Sequence, residues 1–160
     1  MTFAVRENAE ARIVFRRVID LDNELQQTIR TGFFFFMRAL QTRAQKSIRA
    51  KDKRGRVYRV RNPRTGRVKT HRSSAPGQSH ARMFGPLGDS ISWRVEGWDK
   101  ATFGYGVSTT RRKKAPPYAG AIEFGSKKLR IKPRPTLLNA SNAEDIQPHF
   151  DRAFAQSDLP

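Results

Sequence analysis

The chain has 160 residues, with 32 Lys and Arg against 14 Asp and Glu and a formal net charge of +18. This length fits one domain, and so large a positive charge indicates a polyanionic neighbour or an acidic protein surface. The chain contains no cysteine, which excludes disulfides, zinc sites built on thiolates and cysteine nucleophiles. Apolar residues make up 37% of the chain, with 11 Phe, so we expect a modest core and polar segments that a partner orders.

The one strongly apolar run, Gly32–Met37, lies between Arg30 and Arg38. It is far shorter than the ~20 residues that a helix needs to cross a bilayer. The first residues are charged throughout and show no signal-peptide pattern. The sequence therefore predicts a soluble protein with no membrane partner.

The charge is distributed unevenly along the chain. Residues 43–72 contain 13 Lys and Arg and a single acid, Asp52, whereas residues 139–160 contain four acids and only Arg152. A basic middle and an acidic end are compatible with head-to-tail contacts between copies in a ring.

The opening third predicts a strand followed by a long helix. Residues 11–18 (ARIVFRRV) are rich in β-branched and aromatic side chains, which favours a strand. Asp20 or Asp22 then suits the cap of a helix over residues 21–49. Apolar residues recur in that span at three- and four-residue steps, at Leu21, Leu25, Ile29, Phe33, Phe36, Leu40, Ala44 and Ile48.

Four consecutive phenylalanines, Phe33–Phe36, cannot all lie on one face of a helix. Two are expected to meet the core, which leaves Phe34 or Phe35 for another surface. Two alternatives stay open for that residue: contact with a second subunit, or burial beneath the chain's own β-sheet. We take Phe34, Phe35, Ile91 and Trp93 as candidate subunit-interface residues.

A basic hairpin follows the helix. Residues 56–61 (RVYRVR) and 67–72 (RVKTHR) flank Asn62–Gly66, whose Pro and Gly are typical of a turn. The ribbon has almost no apolar side chains to bury, so we expect it to project as a flexible arm over about residues 51–72. Its candidate contacts with a partner or with DNA are Arg54, Arg56, Arg59, Arg61, Arg64, Arg67, Lys69 and Arg72.

The remainder predicts an antiparallel sheet closed by a helix. After a loop over residues 73–88, residues 90–98 and 102–108 form two predicted strands around a turn at Asp99 and Lys100. A basic linker covers residues 111–117. Residues 118–124 predict either a helix or a strand, which Gly125 ends.

Pro133 and Pro135 predict an extended stretch, and residues 142–156 predict a terminal helix. The predicted fold class is therefore α+β. A long N-terminal helix packs on a small antiparallel β-sheet, a C-terminal helix closes the fold and the basic hairpin projects, all in a single domain over residues 1–160.

No catalytic motif is evident in the glycine-containing loops or in the isolated acid. Residues 75–77 and 85–88 lack the GxxxxGK[ST] spacing of a phosphate-binding loop, so we interpret them as turns. Glu123 has no second carboxylate or His close in sequence. We expect it to accept hydrogen bonds or to pair with an arginine rather than to act as a general acid.

The three histidines, His71, His80 and His149, have no partner at metal-ligand spacing. A ribonuclease built on His71 and His80 with lysines is a remote alternative. We therefore predict that the chain is not an enzyme and that it takes no metal and no cofactor.

Three segments, in order, carry a resemblance to a known family. They are Ser74-Ala75-Pro76-Gly77 followed by Gly85-x-Leu87-x-x-Ser90-Ile91, then Tyr118-Ala119 leading into Ile122-Glu123-Phe124-Gly125, then Lys132-Pro133-Arg134-Pro135 with Leu137-Leu138 and Ala140. Over roughly residues 55–155 they resemble the neck or tail-completion proteins of long-tailed bacteriophages and prophages. The chain departs from the family pattern at Phe84, where the family usually has Thr, and at Thr136, where it often has Phe.

The resemblance implies a virion structural protein at the head–tail interface. Such a protein forms a ring, of six subunits by the resemblance, that joins the head connector to the tail tube and lets the genome pass. Its partners would be copies of itself, the neighbouring neck or connector and tail-tube proteins and, without sequence preference, genomic DNA in the lumen. It would be made in the bacterial host cytoplasm and located in the neck of the virion.

The resemblance also selects a set of structural motif residues. They are Pro76, Gly77, Leu87, Ser90, Tyr118, Glu123, Phe124, Gly125, Pro133 and Pro135. Among them, we expect Tyr118, Phe124, Pro133 and Pro135 to hold a turn that presents the preceding basic linker.

The basic run over residues 43–72 has three interpretations. It docks onto an acidic partner protein, contacts DNA phosphates without reading sequence, or forms a solvated charged face. A free nucleic-acid-binding protein that coats or packages DNA or RNA is the alternative function. It explains the charge equally well but leaves the motifs of residues 74–140 unexplained.

Overall fold

The computed structural model describes residues 9–81, 86–107, 115–157 and 159. In chain order they form α1 (Ala9–Arg49), β1 (Val57–Arg61), β2 (Val68–Arg72), α2 (Pro86–Asp89), β3 (Ile91–Val95), β4 (Ala101–Tyr105), α3 (Ala119–Phe124), α4 (Thr136–Asn142) and α5 (Gln147–Ala155). The strands form two separate antiparallel pairs, β1 with β2 and β3 with β4. The predicted α+β fold, with its long N-terminal helix and basic hairpin, is confirmed.

Helix α1 begins earlier than the sequence predicted. The predicted strand over residues 11–18 is wrong, because those residues belong to α1, and neither Asp20 nor Asp22 begins the helix. No Pro or Gly interrupts residues 9–31, and Val18 continues the three- and four-residue steps of the apolar stripe. Strand preference reflects packing against neighbouring strands, so a local run of β-branched residues does not outweigh helical continuity.

The sheet formed by β3 and β4 packs on α1 through a polar bridge as well as apolar contacts. The Gln41 side chain donates from Nε2 to the Ile91 carbonyl at 2.7 Å and accepts a hydrogen bond from Trp93 Nε1 at 3.1 Å. The predicted turn between the strands is confirmed, with the Glu96 N–H bonded to the Lys100 carbonyl at 2.9 Å. The bridge fixes the register of the sheet against the helix.

The C-terminal region contains two short helices, so the single helix predicted over residues 142–156 is wrong in its extent. Pro148 lies in the first turn of α5, where its missing N–H is not needed. The Asp145 carboxylate accepts a hydrogen bond from the Gln147 N–H at 3.1 Å, which orders the start of α5. Helix α5 then packs along α1, with Phe150 edge-on against Phe33.

The core lies where α1, β3 and α4 meet. Its fully buried members are Ala44, Ile48, Ile91 and Ala140, and Phe103, Tyr105 and Leu137 pack against them. Two of the four buried members of this cluster are alanines, so small side chains allow the elements to approach closely. The core holds together the elements that carry the motif segments.

Several sequence predictions fall outside the described residues. These are Phe84 and Gly85 of the motif set, the end of the second predicted strand at Ser108, and positions 111–114 of the basic linker. Among the residues that are described, no helix has the length and apolar character required to cross a membrane.

Candidate functional site

The three motif segments come together at one junction. The Gly77 N–H donates to the Pro133 carbonyl at 3.0 Å, and the Asn139 side-chain amide donates to the Gly77 carbonyl at 3.0 Å. The Arg134 N–H donates to the Ile122 carbonyl at 2.8 Å. The first and third segments, 56 residues apart at Gly77 and Pro133, are therefore joined by a backbone hydrogen bond, and another backbone bond joins the second segment to the third.

Glu123 is the centre of this junction and is only 3% exposed. Its Oε1 accepts hydrogen bonds from the backbone N–H groups of Leu137 and Leu138, at 2.8 and 3.3 Å. Its Oε2 accepts from the Thr136 N–H and from the Tyr105 hydroxyl, both at 3.0 Å. The carboxylate thus caps the N-terminus of α4, where backbone N–H groups and the helix dipole favour negative charge.

Glu123 does accept hydrogen bonds, but its described donors are backbone groups and a tyrosine, so the expected arginine partner is wrong. Burial, followed by the charge of Glu123, raises the pKa of Tyr105, so that its hydroxyl stays protonated and continues to donate. All four donors to this carboxylate belong to the fold itself. The arrangement is that of a structural cap and offers a substrate no free acid.

His80 lies on the other side of Thr136. Its backbone N–H donates to Thr136 Oγ1 at 3.1 Å, and its ring Nδ1 lies 2.7 Å from the same oxygen. Burial, together with the positive charges of Lys53 and Arg134, lowers the pKa of His80 to about 4. At neutral pH His80 is therefore an uncharged part of the junction.

The remaining motif residues have varied surroundings. Ser90 is buried. Its Oγ donates to the Leu87 carbonyl at 2.8 Å, and its backbone carbonyl accepts from the Gly106 N–H at 2.8 Å. Gly125 ends α3 with φ +80°, and a Cβ there would lie 2.9 Å from Pro133. Only glycine fits that turn. Pro76 lies in a turn directly before Gly77, and Pro135 is extended directly before α4.

Phe124 does not hold the turn, contrary to the expectation. Its side chain is 82% exposed, the largest exposure among the large apolar residues that the structure describes. The turn is held instead by Pro133 against Gly125 and by the Ile131–Ser126 backbone pair, bonded at 2.8 and 2.9 Å. Tyr118 is also exposed and contributes through its carbonyl, which accepts from the Ile122 N–H. The junction therefore presents an aromatic ring to the outside.

The four consecutive phenylalanines of α1, Phe33–Phe36, contact two other elements, α5 and β3. Phe34 packs edge-on against Trp93 of β3 with ring centroids 5.0 Å apart, yet stays 42% exposed. The Arg152 guanidinium covers the ring of Phe35 at 4.5 Å. Of the candidate interface residues, Ile91 is 0% exposed and belongs to the chain's own core. Among these candidates, Phe34 is the exposed one, and it also touches the chain's own sheet.

The basic hairpin forms a paired ribbon with both faces in solvent. Strand β1 pairs with β2 in the register Val57↔Arg72 to Arg61↔Val68. All eight predicted contact cations are exposed, and none has an ion pair with another described residue. The turn predicted at Asn62–Gly66 is confirmed, with the Gly66 N–H bonded to the Asn62 carbonyl at 2.9 Å.

The base of this ribbon is anchored to the body of the protein. The buried Lys53 ammonium donates to the carbonyls of Ser47 and Ser79 at 2.7 and 3.0 Å, and burial lowers the pKa of Lys53 although Asp52 opposes that shift. The Gln78 amide oxygen accepts from the backbone N–H groups of Arg54 and Ala75, both at 3.0 Å. The arm is thus free along its length but fixed where it joins α1.

A groove of about 930 Å³ lies between α1 and α5. Arg38, Arg43 and Lys46 of α1 and Arg152 of α5 line it, and Glu144 is the acid among its lining residues. Arg43 pairs with Glu144, which also lies 3.0 Å from His149 Nε2. Burial raises the pKa of Glu144, but hydrogen bonds from His149 and Arg43 outweigh that effect and lower it. We call this the α1–α5 groove.

Sequence reasoning missed the α1–α5 groove. The stripe Arg38, Thr42 and Lys46 at four-residue spacing gave a signal for a polar helix face, but no signal identified α5 as the opposite wall. The sequence also could not predict that the motif segments meet around Glu123, because hydrogen bonds between distant segments leave no local sequence pattern.

Comparison of the chain with protein-family models, with curated proteins and with solved structures gives no match. Within the described ranges there is also no cluster of three or more His, Asp or Glu side chains able to hold a metal ion.

Proposed function

We propose that the chain is a structural protein of a tailed bacteriophage or prophage particle. It forms a ring at the head–tail interface, joins the head connector to the tail tube and lets the genome pass through the lumen. Its work is mechanical, and no catalytic residue takes part.

The observation that carries the proposal is the junction around Glu123. The three segments that resemble neck and tail-completion proteins were selected by sequence alone, yet they are hydrogen-bonded to one another. Their internal residues, such as Glu123 and Ser90, are buried, whereas Phe124 at the tip is exposed. This supports an interpretation of the motifs as one device that presents an assembly surface.

Exposed apolar side chains elsewhere support assembly with other copies. Val18, Leu21 and Leu25 form an exposed stripe on α1, and Phe34 adds apolar surface further along the same helix. A protein that works alone rarely leaves several such surfaces open to water. In the proposed ring these surfaces meet neighbouring subunits.

The basic arm supplies the contact with neighbours above or below the ring. Charge reversal of Arg59, Arg61, Arg64 and Arg67 to Glu is expected to stop heads and tails from joining, because it removes the attraction to an acidic partner surface. Infectivity in a complementation assay falls to the level of the gene deletion. The purified variant keeps the thermal unfolding midpoint of the parent, since the arm is exposed on both faces.

A matched control replaces the same four arginines, Arg59, Arg61, Arg64 and Arg67, by Lys. It keeps the positive charge of the arm, and we expect it to support joining. Normal joining by the arm variant would show that the arm is not a docking element.

The alternative function is a sequence-independent nucleic-acid-binding protein. The basic hairpin favours this alternative. Its eight predicted contact cations are exposed and have no ion pair with other described residues, so they are available to contact phosphates. The position of the gene separates the two functions, since a neck gene lies among capsid and tail genes. A coating protein would also be absent from the neck of finished particles.

A further inference from the structure

We propose that the α1–α5 groove is a docking site for the sugar–phosphate backbone of duplex DNA. The inference goes beyond the proposed function, since a ring subunit needs no such groove and the groove is complete within one chain. The test of this groove therefore does not depend on where the chain lies in a particle.

The first argument is uncompensated charge. Glu144 is engaged by Arg43 and His149, whereas Arg38, Lys46 and Arg152 have no acidic partner among the described residues. Three free cations around one open groove repel each other mildly and gain by meeting a polyanion. The described residues of the groove therefore carry an excess of positive charge in the isolated chain.

The second argument is spacing. Arg38 and Lys46 are eight residues apart on α1, which places them about 12 Å apart along the helix axis. Phosphates on one strand of duplex DNA advance by about 3.4 Å along the axis, so this distance covers about three or four of them. Arg152 faces the same space from α5. The three cations can thus contact one backbone from two sides.

The third argument is continuity with the basic arm. The groove ends at Ser47 and Ala50, at the end of α1, and the exposed cations Lys51 and Arg54 follow directly. From there the ribbon continues the positive surface. Exposed cations that recur along the chain from the groove into the ribbon suit a polymer with regularly repeated charge better than they suit an acidic peptide.

The choice of duplex over single strand comes from the aromatic residues. Single-strand sites stack bases on free aromatic rings. In the groove, Arg152 covers the ring of Phe35, and His149 is bonded to Glu144 and tilted against Phe36. These contacts reduce the ring surface of Phe35 and His149 on which a base could stack, which favours contact with a backbone whose bases are already stacked.

The test is a salt titration of binding to a fluorescent duplex of mixed sequence, with the purified full chain. The groove variant carries Arg38→Gln, Lys46→Gln and Arg152→Gln. Each lost phosphate contact lowers the slope of log K against log salt by about 0.9, so the slope falls by about 2.7 in total. A fourfold rise in salt then weakens the parent about 40-fold more than the variant.

Two further variants make the result interpretable. Because Arg152 packs on Phe35, the pair Arg38→Gln and Lys46→Gln tests the groove without disturbing α5, and its slope falls by about 1.8. The control Lys127→Gln, Lys128→Gln and Lys132→Gln removes three exposed cations outside the groove. It is expected to retain the parent slope.

Three outcomes overturn the proposal. An unchanged slope in both groove variants shows that the groove makes no phosphate contact. An equal fall of the slope in the control variant shows that binding depends only on the overall charge of the protein. Tighter binding to an unstructured oligothymidylate than to the duplex shows that the occupant is a single strand. Failure in any of these ways leaves the neck proposal intact, because that proposal depends on the position of the chain in the particle.

Discussion

Glu123 and Thr136 are the two residues through which distant segments of the chain support each other. The Glu123 carboxylate caps α4, and the Thr136 hydroxyl connects that cap to His80. Neither role follows from residue type alone, because an isolated Glu in an apolar segment has many possible partners. The sequence did predict a hydrogen-bonding or salt-bridge role for Glu123, because no second carboxylate or His lies near it. It could not predict which donors, because these lie 13 or more residues away.

Replacement of Glu123 by Ala is expected to destabilise the fold by about 3 kcal/mol. It leaves three backbone N–H groups at the start of α4 and the Tyr105 hydroxyl without their acceptor, in a buried site. Glu123→Gln destabilises less, because one carbonyl oxygen can still accept. Urea unfolding followed by circular dichroism measures both.

The matched control is Glu96→Gln. Glu96 pairs with Arg94 and Lys100 at the surface of the β3–β4 turn, so its loss is expected to change stability little. Equal effects of the two Gln substitutions would contradict the assignment of Glu123 as the cap of α4.

His80 makes stability depend on pH. Its pKa is about 4 in the fold, against 6.5 for a histidine in an unfolded chain, so the unfolded chain binds more protons between these values. The stabilisation from neutral His80 is present above pH 6.5 and is lost as the pH falls towards 4. Between about pH 7 and pH 5 we expect a loss of about 2 kcal/mol in the free energy of unfolding.

The variant His80→Gln does not titrate and is expected to lack this part of the pH dependence. Glu144 acts in the same direction but at lower pH, because its pKa is lowered from the ordinary value of a glutamate. Urea unfolding of both proteins at about pH 7 and pH 5 separates the two groups. If the parent and the variant lost the same free energy of unfolding between these two pH values, His80 would not be the source of the pH dependence.

At the scale of elements, local patterns predicted the hairpins well and the helix ends poorly. The Pro and Gly of Asn62–Gly66 specify a turn by themselves, and the structure confirms it. The start of α1 follows the helical continuity of its residues, whereas the break between α4 and α5 depends on more distant contacts. Helix α5 begins near Pro148 and Asp145, but its position against Phe33 decides where it can lie.

Two helical glycines test the packing between elements. Gly32 lies against the Phe150 ring, and a Cβ there would be 2.9 Å from it, whereas a Cβ on Gly120 of α3 would meet nothing within 4 Å. Alanine favours helix over glycine by about 1 kcal/mol. We expect Gly120→Ala to stabilise by up to about 1 kcal/mol, and Gly32→Ala to destabilise because α5 must shift.

Thermal unfolding of the two variants gives the answer directly. We expect the midpoint to rise for Gly120→Ala and to fall for Gly32→Ala. Both substitutions gain helix propensity, but of these two glycines only Gly32 lies against a neighbouring side chain. A stabilised Gly32→Ala variant would mean that α5 does not pack closely on α1.

At the scale of the whole molecule, the net charge of +18 is divided between separate surfaces. The arm and the α1–α5 groove carry exposed cations, while the junction around Glu123 presents Phe124. The composition predicted a polyanionic or acidic neighbour, but it could not divide the charge between an arm and a groove. That division needs the fold, because the groove combines residues about 100 positions apart.

The central claim, that this chain forms a ring at the head–tail interface, is tested most directly by cryo-electron microscopy of particles from the phage or induced prophage that encodes it. We predict a ring of density between the head connector and the tail tube into which the fold fits, with the arm reaching an adjacent ring or the DNA. Finished particles whose neck has no density for this chain, although the chain is expressed, would contradict the claim.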